Sequence, residues 1–213
     1  MMLKFSDCTL DDLDQRFSLI QVDQSQTLDN WLIGEAEISE VERTVLTMYQ
    51  QMLSIHSYDW NEAELLQHFI GPMFALVNFS NKQFSIFSQR NLTGVVEGIE
   101  MGGNPDGLIA SGWRSPKRPF FCLQEYKKQL DLKGDPAGQC LAAMLVAQEL
   151  NDHQHPIYGC YVMGKYWNFM TLEAKDYCIS ESYIGTDDEI FDIFRILKVL
   201  KQTIVQLMAM NHA

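Results

Sequence analysis

The nine residues Pro119-Phe120-Phe121-Cys122-Leu123-Gln124-Glu125-Tyr126-Lys127 are apolar for most of their length and then end on charge. A strand that does not alternate apolar with polar positions is buried on both faces, so it belongs in the middle of a sheet covered from both sides. Gly134-Asp135-Pro136 follows. It supplies an N-cap and a proline suited to the first helical position, opening a largely apolar helix from Ala137 to about Asn151. Ile157 to Met163 reads as the next strand, with another at Trp167 to Leu172. Strand, helix and strand in this order make an α/β unit.

The rest of the chain is consistent with that class. Thr9 to Phe17 spaces Leu10, Leu13 and Phe17 for one helical face. Ser39 and Glu42 stand at capping-box spacing before Val41, Val45, Met48, Tyr49 and Met52, which predicts an amphipathic helix to about His56. Asn61 and Glu64 repeat the signal, and that second helix should kink or end near Gly71-Pro72. From Lys82 onward β-branched and aromatic residues separated by glycines predict sheet. Asn104-Pro105-Asp106-Gly107 is turn chemistry, read as part of a hairpin with Leu108-Ile109-Ala110. Asp187 to Met210 is a final helix whose apolar stripe, widened by Phe191, Ile196 and Val199, either packs deeply on the sheet or pairs with a second copy in a homodimer. The reading is one domain: an N-terminal helical extension over 1–58, a mixed sheet flanked by helices over 59–180, and a C-terminal helix over 186–210.

Composition removes several classes. The chain has 213 residues, 46% of them apolar, enough for a real core. Its longest apolar run, Cys140 to Ala147, is far below the roughly 20 residues of a membrane span. The first residues lack the features of an export signal, so a cytoplasmic protein is expected. Five unpaired-looking cysteines, Cys8, Cys122, Cys140, Cys160 and Cys178, predict reduced thiols and argue against a zinc cage. The net charge of -12 repels polyphosphate on average. Residues 114 to 133 reverse that sign with Arg114, Lys117, Arg118, Lys127, Lys128 and Lys133 against Glu125 and Asp131. A nucleophile elbow, a P-loop and a dinucleotide fingerprint are absent.

Charge at the end of a buried strand needs compensation. Strand alternation puts Glu125 and Lys127 side by side, and Asp106 on the preceding strand is placed to join them. Two carboxylates can hold Mg²⁺ beside a phosphate, while the lysine steadies a phosphate oxygen or the attacking water. Two carboxylates about 4 Å apart repel by about 4 kcal/mol at an effective dielectric near 20, so a cation or proton is required. The plain alternative is an ordinary ion pair at a sheet edge, with Asp106 merely making the turn.

Pro105-Asp106 followed by Glu125-Tyr126-Lys127 resembles the PD-(D/E)xK nuclease superfamily, which has the restriction-endonuclease-like fold. The resemblance covers roughly residues 59 to 165. It implies that Asp106 and Glu125 bind Mg²⁺ or Mn²⁺, that Lys127 acts on the phosphate, and that Glu62 supplies a further acid from the helix before the sheet. It also implies a backbone carbonyl ligand near Cys122, and a glutamine on the following helix, here Gln139. Where exonuclease-like branches carry a tyrosine four residues on, this chain has Ala143. The function so implied is Mg²⁺-dependent phosphodiester hydrolysis on nucleic acid, DNA ahead of RNA, with Arg114, Lys117, Arg118, Lys128 and Lys133 guiding the backbone. The alternative is a non-catalytic interaction protein that keeps the nuclease fold and works through its acidic N-terminal region or its C-terminal helix.

Overall fold

The computed structural model describes residues 2–130 and 134–210. In chain order they form β1 (Leu3–Lys4), a single turn at Phe5–Asp7, α1 (Leu10–Phe17), β2 (Ile20–Gln21), α2 (Gln26–Ile33), α3 (Glu40–His56) and α4 (Glu62–Leu65). A π-helical turn (Leu66–Ile70), α5 (Gly71–Val77), β3 (Phe84–Ser88), β4 (Leu92–Val96), β5 (Ile99–Gly103) and β6 (Gly107–Ser111) follow. The chain continues through β7 (Lys117–Lys127), α6 (Pro136–Leu150), β8 (Ile157–Met163), β9 (Tyr166–Glu173), β10 (Asp176–Ile179), β11 (Tyr183–Ile184) and α7 (Glu189–Met210).

Two sheets result. The larger has eight strands, ordered β2-β10-β9-β8-β7-β6-β3, with β11 pairing beside β9. The smaller is β1-β5-β4. Strand β7 lies inside the large sheet, antiparallel to β6 and parallel to β8, as its unbroken apolar run requires. The parallel β7–β8 pair needs a crossover, and α6 provides it. Asp135 caps this helix by accepting the Gly138 N–H at 3.0 Å.

The expected hairpin at Asn104-Pro105-Asp106-Gly107 is not there. The turn instead carries the chain from β5 in the small sheet to β6 in the large one, and the hairpin is β4–β5. Sequence spacing cannot tell these apart, because both need the same turn residues. The Pro72 kink is resolved differently as well. The helix runs on to Val77, with the Gly71 N–H bonding back to the Leu66 carbonyl through the π-turn. One wider turn accommodates the proline, which donates no N–H.

Each face of the large sheet carries its own core. On one side α6 is buried from Ala137 to Gln148, and a helix apolar all round must be covered all round. It is wedged between β7 and β8 of the large sheet, β4 and β5 of the small sheet, and α1. On the other side α2, α3, α5 and α7 pack with Trp31, Phe69, Phe74, Trp167 and Phe169. The broad stripe of α7 is used within the chain: Ile190, Phe194, Leu197, Leu200 and Ile204 are fully buried there. The Trp31 indole N–H donates to the Ile196 carbonyl at 2.9 Å, and the Arg195 guanidinium donates to the Leu32 and Gly34 carbonyls. All five cysteines are free and buried. No helix among the described residues is long and apolar enough to cross a membrane.

A candidate site where the two sheets meet

A register shift in β6–β7 sets which side chains of β7 face α6. Ile109 pairs with Cys122 but Ala110 pairs with Phe120, leaving Phe121 as the extra residue of a bulge. Phe121 and Cys122 therefore both belong to the α7-side core, while Leu123 turns to α6. Two and four residues on, Glu125 and Lys127 share the Leu123 face. The Lys127 Nζ donates to Glu125 Oε1 at 2.8 Å.

The inter-sheet turn brings Asp106 to the same place. Its Oδ2 accepts the N–H of Tyr126, the residue between Glu125 and Lys127, at 2.8 Å. Asp106, Glu125, Lys127 and Gln139 line one pocket of about 360 Å³. Gln139 comes from the first turns of α6 and is itself buried. Glu62, the first residue after the Asn61 cap of α4, stands at the rim with Oε1 3.9 Å from Lys127 Nζ. Glu64 is spent on the cap, accepting the Asn61 N–H at 2.9 Å.

Burial pushes Glu125 up to about 7; the Asp106 carboxylate adds to the rise and Lys127 opposes it. Asp106 is raised for the same first reason, desolvation, against the pull of the Tyr126 N–H and Lys127. Burial alone would lower Lys127, but Glu125, Glu62 and Asp106 outweigh it and raise its value. The lysine thus keeps its proton, and Glu125 is the group that titrates near neutrality.

Not every expected residue arrives. The Cys122 thiol points into the opposite core, its S–H toward the Leu123 carbonyl, and Cys122 is absent from the pocket wall. Strand alternation explains this, since Cys122 stands three residues from Glu125 and so faces the other way; the expectation there concerned a backbone carbonyl, which the direction of the thiol does not decide. The basic set is split as well. Arg114 lies in the β6–β7 loop, and Lys117 and Arg118 open β7, whereas the pocket sits at the strand's far end, roughly 25 Å away at about 3.3 Å per residue. Arg118 is paired with Asp152 at 2.5 Å. Lys128 is exposed just past the strand's end beside the pocket, and Lys133 lies outside the described residues.

Other walls come from segments that carry no local functional signal. Lys4 and Phe5 reach the pocket because β1 pairs with β5, and Asn91 and Asn104 flank it from the small sheet. A two-residue strand has no periodicity to read. Among the described residues no three His, Cys, Asp or Glu side chains converge as a metal cage. A Mg²⁺ site does not demand one, because that ion keeps several waters and is held through one or two carboxylates plus substrate phosphate. The half-buried Asp106 and Glu125, the first raising the second, are suited to such an ion. No family model matches the chain, and no curated protein matches it.

Proposed function

We propose that this protein is a Mg²⁺-dependent phosphodiesterase of the PD-(D/E)xK nuclease kind, with a restriction-endonuclease-like core, acting on nucleic acid and on DNA in preference to RNA. One observation carries the reading. The Asp106 carboxylate is hydrogen-bonded to the peptide N–H inside the Glu125-Tyr126-Lys127 triplet, in a pocket where both acids are raised by burial.

Asp106 and Glu125 are the groups that would hold Mg²⁺ or Mn²⁺, with Glu62 at the rim. The bound ion supplies Lewis-acid polarisation of a phosphoryl oxygen and a more acidic water. Lys127 faces both carboxylates and keeps its charge, so it offers a fixed cation to a non-bridging phosphate oxygen once Glu125 turns to the ion. Gln139 presents an amide from the α6 wall that can orient a water beside it. Burial of the acids keeps the local dielectric low, which strengthens each of these interactions.

The test is cleavage of labelled DNA with and without Mg²⁺, using Lys127→Ala. Metal-dependent cleavage by the parent and its loss in the variant supports the proposal; equal activity in both refutes it. The second reading, a non-catalytic interaction protein on the same fold, draws support from the net charge of -12, which weakens binding to any polyanion. It predicts no thermal response to Mg²⁺ and no cleavage.

A further inference from the structure

Between Glu64 and Glu97 the chain carries no acidic residue, although it has 28 in its 213 residues. This is its longest acid-free stretch. Its two strong bases, Lys82 and Arg90, are exposed and stand just outside the two ends of β3. Strand β3 ends the large sheet, so among the described residues nothing pairs with its outer edge. An unpaired edge offers backbone N–H groups to a ligand. Beside it a pocket of about 340 Å³ lies between α5 and this end of the sheet, walled by Phe74, Asn78, Ile86, Ser88 and Tyr126.

Both ends of this edge are tied to features of interest. At the Lys82 end the Gly112 N–H donates to the Gln83 carbonyl at 2.8 Å, and the Ser111 hydroxyl donates to the same oxygen at 3.2 Å. Those bonds hold the β6–β7 loop beside Lys82. The loop displays Trp113, 59% exposed, with the Arg114 guanidinium 5.0 Å over its ring. At the other end the Gln89 N–H donates to the Asp106 carbonyl at 3.2 Å, so the edge finishes at the candidate pocket.

We propose that the open β3 edge, from Trp113 and Lys82 to Arg90, is the track on which a single-stranded nucleic acid lies as it enters the Asp106 pocket. Charge complementarity selects a polyanion: this is the acid-free part of an otherwise acidic molecule, and beside Lys82 and Arg90 the exposed residues flanking β3, Asn81, Gln83, Ser88, Gln89 and Asn91, carry only amides and a hydroxyl. The exposed indole selects unpaired bases, because stacking needs a free base face. From Lys82 to Arg90 the chain spans at most roughly 26 Å, room for a short run of nucleotides such as single-strand grooves hold. The track rests on the phosphodiesterase reading only for its destination.

The test is fluorescence anisotropy of a labelled oligothymidylate of about 12 nucleotides, in EDTA, against the full chain. Lys82→Glu and Arg90→Glu should each weaken binding about tenfold and flatten the salt slope by about 0.7 per lost contact. Trp113→Ala should weaken it about tenfold for that oligomer. Arg16→Glu, exposed on α1, serves as the control for bulk charge. Equal losses in Arg16→Glu, no loss in any edge variant, tighter binding of a duplex of the same length, or displacement by polyglutamate as effective as by unlabelled oligonucleotide would each overturn the track. If no metal-dependent cleavage is found while the edge variants still weaken binding, the catalytic reading fails and the track stands.

Discussion

The Mg²⁺ response of thermal stability should depend on pH in a direction that the site dictates. Glu125 titrates at about 7 in the folded protein against an ordinary value of 4.5. Between those values the folded state holds a proton that the unfolded chain has lost. Raising the pH through this window therefore lowers stability, by about 3 kcal/mol in all on the scale of about 1.4 kcal/mol per unit. An ion that binds only the ionised pair restores part of that. With Kd of about 1 mM for the ionised site, about 10 mM Mg²⁺ at pH 8 stabilises by about 1.4 kcal/mol. For a chain of this length that is a Tm rise of about 3 to 5 °C. At pH 6 only about a tenth of Glu125 is ionised, so the same Mg²⁺ stabilises by about 0.4 kcal/mol, or about 1 °C. Differential scanning fluorimetry at the two pH values, with NaCl matched for ionic strength, measures both. Equal rises at pH 6 and pH 8, or a rise of the same size in Glu125→Gln, would show that the ion does not sit on this carboxylate.

Three further outcomes follow from named contacts. Asp106→Asn keeps an oxygen for the Tyr126 N–H but removes the charge facing Glu125, so in EDTA at pH 8 it should raise Tm by about 2 °C while abolishing metal-dependent cleavage; a lower Tm would contradict the repulsion. In Lys127→Ala, Glu125 loses the cation that opposes its rise, so the fall in stability between pH 5 and pH 8 should be steeper than in the parent, read by urea denaturation across that range. Gly138→Ala would bring a Cβ within 2.6–2.7 Å of the Thr9 and Leu10 backbone, and should cost about 1–3 kcal/mol in urea unfolding; a neutral result would mean that α1 does not approach α6 so closely.

How much of this was legible in the sequence depended on whether the signal was local. The caps at Ser39, Asn61 and Asp135 all accept the N–H groups their spacing implied. They are decided within four residues. Strand β7 and its neighbour β8 were readable because burial on both faces leaves an apolar run. The small sheet was not, since β1 gains its partner β5 from about a hundred residues away and has only two residues of its own. Helix α2 was missed although Ser25 caps it and Leu28 and Trp31 are buried; its apolar residues do not keep to one face, since Ile33 is exposed beside them. Within the site, the Glu125–Lys127 pair followed from strand alternation, and Asp106 followed from order along the chain. The shared face of Phe121 and Cys122 did not, because the bulged residue that breaks the alternation there is set by the pairing with β6 and leaves no local signal. The separation of Arg114, Lys117 and Arg118 from the pocket followed from nothing but the length of β7, which a clustered charge count ignores.

The Asp135 carboxylate does two jobs at once. One oxygen caps α6, and the other accepts the Leu10 N–H at 2.8 Å, pinning the start of α1 to the start of α6. The amino-terminal residues that precede this pin, Lys4 and Phe5 among them, thereby become masonry of the pocket. A substitution at Lys4 or Phe5 would therefore reshape this wall without touching either of its carboxylates.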